Sequence, residues 1–313
     1  MRRPINRLLN RFDPPVVVLL YHRVNTLPSD SEMLAVTPDN FRAHLQFLKK
    51  SFPLVRFEED WTKPPKPAIA VTFDDGYADN ALEALPILEE VGVPATFFIS
   101  TGTINTKEEF WWNEIEHIIL DGRALPSRFT LQDGHFNKTC PTGTDRERQE
   151  FYQVLVRYMT NADSQRRDEL LLQLRNWAQH KQVAADINRA MTLEELRLLA
   201  KSEWATIGAH TVSHTRLSSL PANSQRQEIR DSKVQLETWL NSKITVFSYP
   251  FGKRRDYTKE TVELCREAGY TKAAINVPGQ AHRWTSPYRI PRLLVRNWPV
   301  EMFAKMLETF WTK

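Results

Sequence analysis

Short, unbroken runs of apolar residues alternate along this chain with segments whose apolar residues recur every three or four positions. Val16–Tyr21, Ala68–Phe73, Pro94–Ile99, Trp204–Gly208 and Ile244–Tyr249 are of the first kind. Runs this short and continuous predict strands buried on both faces, as in parallel sheets. Helical patterns lie between them. Thr37-Pro38 opens one with Phe41, Leu45 and Leu48 on one face; Ala81–Val91 stops at Gly92; Thr192-Leu193-Glu194-Glu195 has the form of a capping box. Ser224 heads a helix through Leu240, Thr258–Ala268 stops at Gly269, and a last helix starts near Val300 with Met302, Met306 and Phe310 on one side. Pro64-Pro65-Lys66-Pro67 marks a loop. The strand–helix alternation predicts an α/β architecture with parallel strands. From about Thr103 to Ala190 the rhythm breaks, with helical patterns over Phe110–Leu120 and Asp145–His180, and we read residues 103–190 as a helical insertion within one domain spanning 1–313.

With 313 residues, 41% of them hydrophobic and 26% charged, the chain can bury a large core as one barrel or two ordinary domains. The formal charge of +4 comes from Lys, Arg, Asp and Glu that are interspersed, which argues against a nucleic-acid footprint. Cys140 and Cys265 are far apart and outside any CxxC pattern, so no disulfide framework is expected and a reducing compartment is. Val16–Leu20 is too short to span a bilayer, and Tyr21-His22-Arg23 follows it instead of a small-residue cleavage site. A soluble, cytoplasmic chain is the expectation. Near the start, Ile5, Leu8, Leu9 and Phe12 fall at helical spacing with Arg2, Arg3, Arg7 and Arg11 around them. Residues 2–12 thus suit either a terminal helix packed on the body or a peripheral contact with anionic lipid at the inner membrane face.

The chemistry sits at strand ends. Val71-Thr72-Phe73-Asp74-Asp75-Gly76 places two carboxylates after an apolar run, and Gly208-Ala209-His210-Thr211-Val212-Ser213-His214 supplies two imidazoles four residues apart. One carboxylate and two imidazoles make a three-ligand metal site with a position left open. Asp75 is the expected ligand and Asp74 the expected base, because Gly76 permits a tight turn that points both inward. His210 and His214 would share a face if the chain were helical there. Trp111 and Trp112 could offer a face for sugar stacking, although consecutive helical residues diverge and packing is the commoner use of such rings.

Thr72-Phe73-Asp74-Asp75-Gly76 and His210-Thr211-Val212-Ser213-His214 resemble the first two motifs of the polysaccharide deacetylases, carbohydrate esterase family 4, also called the NodB-homology fold. The resemblance runs from Leu20-Tyr21-His22-Arg23 to about Val295, apart from the insertion. It implies a distorted (β/α) barrel of about seven parallel strands and removal of N-acetyl groups from amino sugars. It also implies Asp74 as base, a divalent metal (zinc first, then cobalt, nickel or iron) on Asp75, His210 and His214, and an oxyanion donor near Phe251. The third motif, usually Arg-Pro-Pro-Tyr-Gly, here reads Ser248-Tyr249-Pro250-Phe251-Gly252, with Tyr249 and Phe251 as candidate substrate contacts. Its arginine is missing, and Arg292, with Arg289 second, is the candidate substitute. The late Leu-x-His motif is missing too. His22, at the end of the first strand as in the Tyr-His variant of the family among exopolysaccharide deacetylases, is the candidate for its acid.

The expected substrate is an acetamido sugar of a bacterial surface polysaccharide or of its lipid-linked precursor. N-deformylation of a lipid-linked amino sugar and non-catalytic glycan binding are the rivals. Haloacid dehalogenase phosphatases also place an aspartate at a strand end, but their two aspartates are separated by one residue and they have no use for His210 or His214.

Overall fold

The computed structural model describes residues 10, 12–61, 67–106, 108–134, 136–180 and 186–312. Seven parallel strands build one sheet: β1 (Val16–Tyr21), β2 (Ala68–Phe73), β3 (Ala95–Ile99), β4 (Ala205–Ala209), β5 (Val246–Ser248), β6 (Lys272–Ala274) and β7 (Arg292–Leu294). They lie in the order β6-β5-β4-β3-β2-β1-β7. The first three are buried along their whole length, as the unbroken apolar runs require. The segment before β7 reaches back to the opposite edge, with a parallel bridge from Ala274 to Ile290 and a bond from the Ile275 amide to the Ile290 carbonyl at 2.8 Å. The sheet is thereby nearly closed into a barrel flanked by helices.

Strand parity sorts the residues into two environments. Val16, Val18, Ala68, Ala70, Phe98, Val246 and Ala274 form one small apolar cluster, while their neighbours Val17, Leu19, Ile69, Val71, Phe97, Phe247 and Ala273 belong to a second, larger one. The small set is the barrel interior. Its steps of two continue, beyond the strands, to His22, Asp74, His210 and Asn276, so the polar residues form the top layer of the interior at the strands' C-terminal ends. A Cβ on Gly208 would lie 2.6 Å from the Phe98 ring, so glycine there makes room for that ring in the interior.

Thr37 caps the helix Pro38–Ser51, Gly92 ends Leu85–Val91 at φ 72°, and Thr192 and Glu195 form the capping box of Leu193–Lys201. The helix expected from Ala81 begins with a π-turn at Asn80–Ala84. Ser224 does not head its helix; Ala222–Leu240 starts after Pro221, whose carbonyl accepts from the Gln225 amide. The stretch 103–190 holds the helices Trp111–Leu120, Asp145–Asn161 and Ser164–Ala178, and also an antiparallel hairpin of Arg128–Asp133 and Phe136–Pro141 that a purely helical reading lacks. The larger apolar cluster runs from the barrel into these helices through Phe110, Ile115, Leu155 and Leu174. The segment 2–12, except Asn10 and Phe12, and the loop 64–67, except Pro67, lie outside the described residues. No helix among those residues is long and apolar enough to cross a membrane.

Candidate active site

At the end of β2 the chain turns sharply: Asp75 has φ 78° and Gly76 φ 95°. A non-glycine residue held left-handed is costly and marks a position fixed by its surroundings. The same conformation recurs at Thr211, His214 and Phe251, with φ of 67°, 51° and 61°, so four of the eight left-handed non-glycine residues among those described fall on the segments that carry this site. The expected helical spacing of the histidines is corrected here. His210 to Thr215 is a loop, and the left-handed steps at Thr211 and His214, rather than a shared helix face, turn both rings inward.

Asp75, His210 and His214 each offer a ligand atom, all within 4.8 Å of one another, and all three are buried. His214 Nε2 lies 3.3 Å and His210 Nε2 3.6 Å from Asp75 Oδ1. Ligand bonds of about 2.0–2.2 Å around a tetrahedral ion put neighbouring donors about 3.3–3.6 Å apart, so the set fits a small divalent cation. His210 donates from Nδ1 to the Ser248 carbonyl at 2.7 Å, which leaves the Nε2 lone pair facing the carboxylates. Burial lowers the pKa of both imidazoles, that of His214 to about 3, keeping them neutral as ligation requires. Burial raises that of Asp75, and the charge of a cation at this point would offset it.

Asp74, the adjacent carboxylate, is held by Arg292. The guanidinium donates to Asp74 Oδ1 at 2.7 Å and to Oδ2 at 2.6 Å, and to Ser248 Oγ at 2.8 Å, while Ser248 donates to Asp74 Oδ2 at 3.2 Å. Arg292 is fully buried inside the barrel, 5.6 Å from the centre of the Phe98 ring. Burial pushes the Asp74 carboxyl up, but the charge of Arg292 and its hydrogen bonds outweigh it, and the net pKa lies well below the ordinary range. Arg289 is not the substitute; it lies over the Tyr257 ring at 5.9 Å.

His22 borders the same cavity, half-buried, and its Nδ1 has no hydrogen-bond partner among the described residues. Burial lowers its pKa, against the pull of Asp75 and Asp74. Phe251 borders the cavity too and packs on His214 with ring centres 4.9 Å apart. Tyr249 does not. It is buried, stacked on Tyr257 at 4.7 Å and donating to the Tyr288 carbonyl, so its candidacy as a substrate contact is corrected to core packing: one step in strand parity turns it away from the interior. Trp111 and Trp112 both line the cavity although they are consecutive, and Trp112 packs on His214 at 4.7 Å while donating to the Tyr77 hydroxyl at 2.6 Å.

Two residues that sequence reasoning missed hold the histidine loop. Glu228 accepts from the Val212 and Ser213 amides, each at 2.9 Å, and from the Ser213 hydroxyl. Arg167, on the helix Ser164–Ala178, donates to the Ser213 carbonyl at 2.7 Å, the His214 carbonyl at 3.1 Å and Thr215 Oγ1 at 2.5 Å. The loop is thus pinned from its amide side by an anion and from its carbonyl side by a cation. Arg167 is only 3% exposed and burial lowers its pKa to about 10, so it stays charged at neutral pH.

The barrel thus carries at its C-terminal mouth, where such folds place their chemistry, a buried Asp-His-His set that could hold a metal ion and an aspartate held by an arginine. The model of the polysaccharide deacetylase family matches residues 62–131 and 172–273, more than half of the chain, and the chain belongs to that family. It is therefore a hydrolase acting on the N-acetyl amide bonds of polysaccharides, a family in general metal-dependent. Among curated proteins it is similar to YxkH of Bacillus subtilis (strain 168), 22% identical over 287 residues that make up 89% of this chain and 70% of that one. Among solved structures it resembles the deacetylase PplD of Streptococcus pyogenes, determined with acetate, at a TM-score of 0.59 and 18% identity, over 94% of this chain and 98% of that one. IcaB from Ammonifex degensii aligns at 0.58 and 19%, over 96% and 97%. At these identities the structural likeness speaks for the fold.

Proposed function

We propose that this protein removes the N-acetyl group from an acetamido sugar of a bacterial surface polysaccharide or of its lipid-linked precursor, using Asp74 as base and a divalent cation, zinc first, on Asp75, His210 and His214. The observation that carries the reading is the convergence of those three donors within 4.8 Å of one another, next to a carboxylate fixed by Arg292. A bound cation would polarise the acetamide carbonyl and acidify a water beside it. Asp74, kept ionised by Arg292, accepts the proton as that water attacks the carbonyl carbon, an effect worth roughly 10²–10⁴ in rate. The Phe251 amide, at a left-handed turn bordering the cavity, would donate to the oxygen as charge builds on it. His22 would deliver the proton that the departing sugar nitrogen needs when the carbon–nitrogen bond breaks, leaving acetate and a free amine; Asp75 and Asp74 favour the protonated ring against the burial that disfavours it.

The test is acetate release from N-acetylhexosamines linked to nucleotide, lipid or polymer, with formate assayed on the N-formyl counterparts. Activity is expected on at least one acetylated class, lost on chelation, restored by zinc, cobalt, nickel or iron(II), and absent in Asp74→Asn. Formate release alone, or glycan binding without turnover in the metal-loaded protein, would replace this reading with one of its rivals.

A further inference from the structure

We infer that the substrate carries a negative charge close to the acetamido sugar, a phosphodiester or a carboxylate, and that Arg157 and Lys253 on the cleft walls receive it. The inference rests on the deacetylase reading and concerns the same cleft. That cleft, of about 660 Å³, has the catalytic carboxylates and imidazoles on its floor. Five cationic side chains line it above them, Arg157, Arg216, Lys253, Arg255 and Arg296, against two further carboxylates, Glu32 and Asp256.

The two carboxylates are already engaged. Asp256 accepts from the Lys253 amide at 2.8 Å and has Arg216 Nε at 3.0 Å and Arg255 Nε at 3.7 Å. Glu32 Oε1 accepts from the Tyr152 hydroxyl at 3.1 Å. Arg296 is spent on the Glu32 and Met33 carbonyls. Arg157 and Lys253 are exposed, and among the described residues neither side chain has a carboxylate partner. They come from different parts of the fold, Arg157 from the helix Asp145–Asn161 of the inserted block and Lys253 from the loop after β5.

Nor does the floor use up this charge. Asp74 is neutralised by Arg292, and a cation on Asp75 would make the floor more positive still. Unpaired cations around a concave, partly desolvated cleft focus a positive potential into it and draw in anions. An uncharged glycan would gain nothing from that field, whereas an anionic group linked to the acetylated sugar would be steered and held by it. The inserted block would then select substrate charge as well as wall the cleft.

Binding to the metal-free, full-length protein tests this without turnover. The probes are N-acetylglucosamine, N-acetylglucosamine 1-phosphate, and a disaccharide of N-acetylglucosamine with glucuronate. At about 20 mM salt at least one anionic probe should bind roughly ten-fold or more tightly than the neutral sugar, and the advantage should shrink several-fold by about 200 mM. It should fall to within about three-fold in the Arg157→Gln/Lys253→Gln double variant. The better of the two anionic probes tells a phosphodiester-linked substrate from a uronate-bearing one. Equal binding of all three probes, or a preference that the double variant keeps, overturns the inference. In the metal-loaded enzyme, acetate release from neutral and anionic oligosaccharides of equal length should follow the same order. Charge-selective binding with no acetate released from any substrate would count against the deacetylase reading and leave the charge selectivity standing.

Discussion

Arg292 grips both oxygens of Asp74 from a strand that is 218 residues further along the chain, on the far side of β1. The family's third motif ordinarily supplies its arginine from the position that Ser248 occupies here. In this chain Ser248 is a small relay, accepting from Arg292 and donating to Asp74, and the space it leaves admits the guanidinium from the neighbouring edge of the sheet. Charge and fork geometry at the base are kept while their source in the sequence has moved.

Arg292→Lys should keep the fold and lower kcat about 100-fold, because a single ammonium cannot span both carboxylate oxygens. The acidic limb of the kcat profile should also move to higher pH. Arg292 holds the pKa of Asp74 down, and weakening its grip lets burial raise it, so the base is protonated over a wider acidic range. Arg292→Ala leaves a buried carboxylate unpaired, at a cost of about 3–5 kcal/mol of stability measurable by denaturant unfolding. An unshifted limb in Arg292→Lys would count against the role given to the pair.

Arg167→Met should lower the affinity for zinc by about 10–100-fold in a chelator competition, with Arg167→Lys between it and wild type. The carbonyls of Ser213 and His214 lose their donors and the left-handed turn at His214 loosens. Unchanged metal affinity would reduce Arg167 to packing.

His22→Gln should retain full metal content and lose about 10²–10⁴ in kcat on sugar substrates. The loss should be far smaller on an N-acetyl substrate whose leaving nitrogen is already a good leaving group, because such a group departs without a proton. An equal loss on both kinds of substrate would place His22 outside proton transfer to the amine.

His44 gives a pH signature distant from the chemistry. It is buried against Phe303, ring centres 4.0 Å apart, accepts from the Tyr21 hydroxyl at Nδ1 and donates to the Trp298 carbonyl from Nε2. Burial lowers its pKa to about 4, against 6.5 for an ordinary imidazole. The unfolded chain therefore takes up a proton below pH 6.5 that the folded chain refuses until about pH 4. The stability His44 contributes is complete above 6.5 and is lost as pH falls through that window, by up to about 1.4 kcal/mol per pH unit. His44→Gln, which can reproduce both hydrogen bonds, should show a shallower acid slope in urea unfolding; an identical slope would exclude His44 as its source.

The sequence disclosed the parts of this site that lie next to one another in the chain. Asp74 and Asp75 follow an apolar strand, His210 and His214 follow another, and a motif missing its arginine directed attention to Arg292. Ser248, Trp112, Arg167 and Glu228 were not legible in those roles, because each acts through a contact made only by tertiary packing. The four-residue spacing of the histidines suggested a helix, but two left-handed residues bring the rings together instead, and backbone strain of that kind leaves no trace in residue type at Thr211 or His214. Tyr249 was misjudged for a related reason: one residue after Ser248, it sits at the opposite parity of the strand, whereas Phe251 borders the cavity from a left-handed turn beyond the strand. The hairpin at Arg128–Asp133 exposes every second residue, a period too short within a charged, helix-rich stretch to stand out.

The central claim is that Asp75, His210 and His214 hold one divalent cation, and a crystal of the zinc-loaded protein with anomalous scattering at the zinc edge tests it most directly. One peak per chain is expected, about 2.0–2.2 Å from Asp75 Oδ1, His210 Nε2 and His214 Nε2, and gone in His210→Ala. A fully loaded protein with its zinc elsewhere, or those three side chains ordered around no metal, would contradict the account.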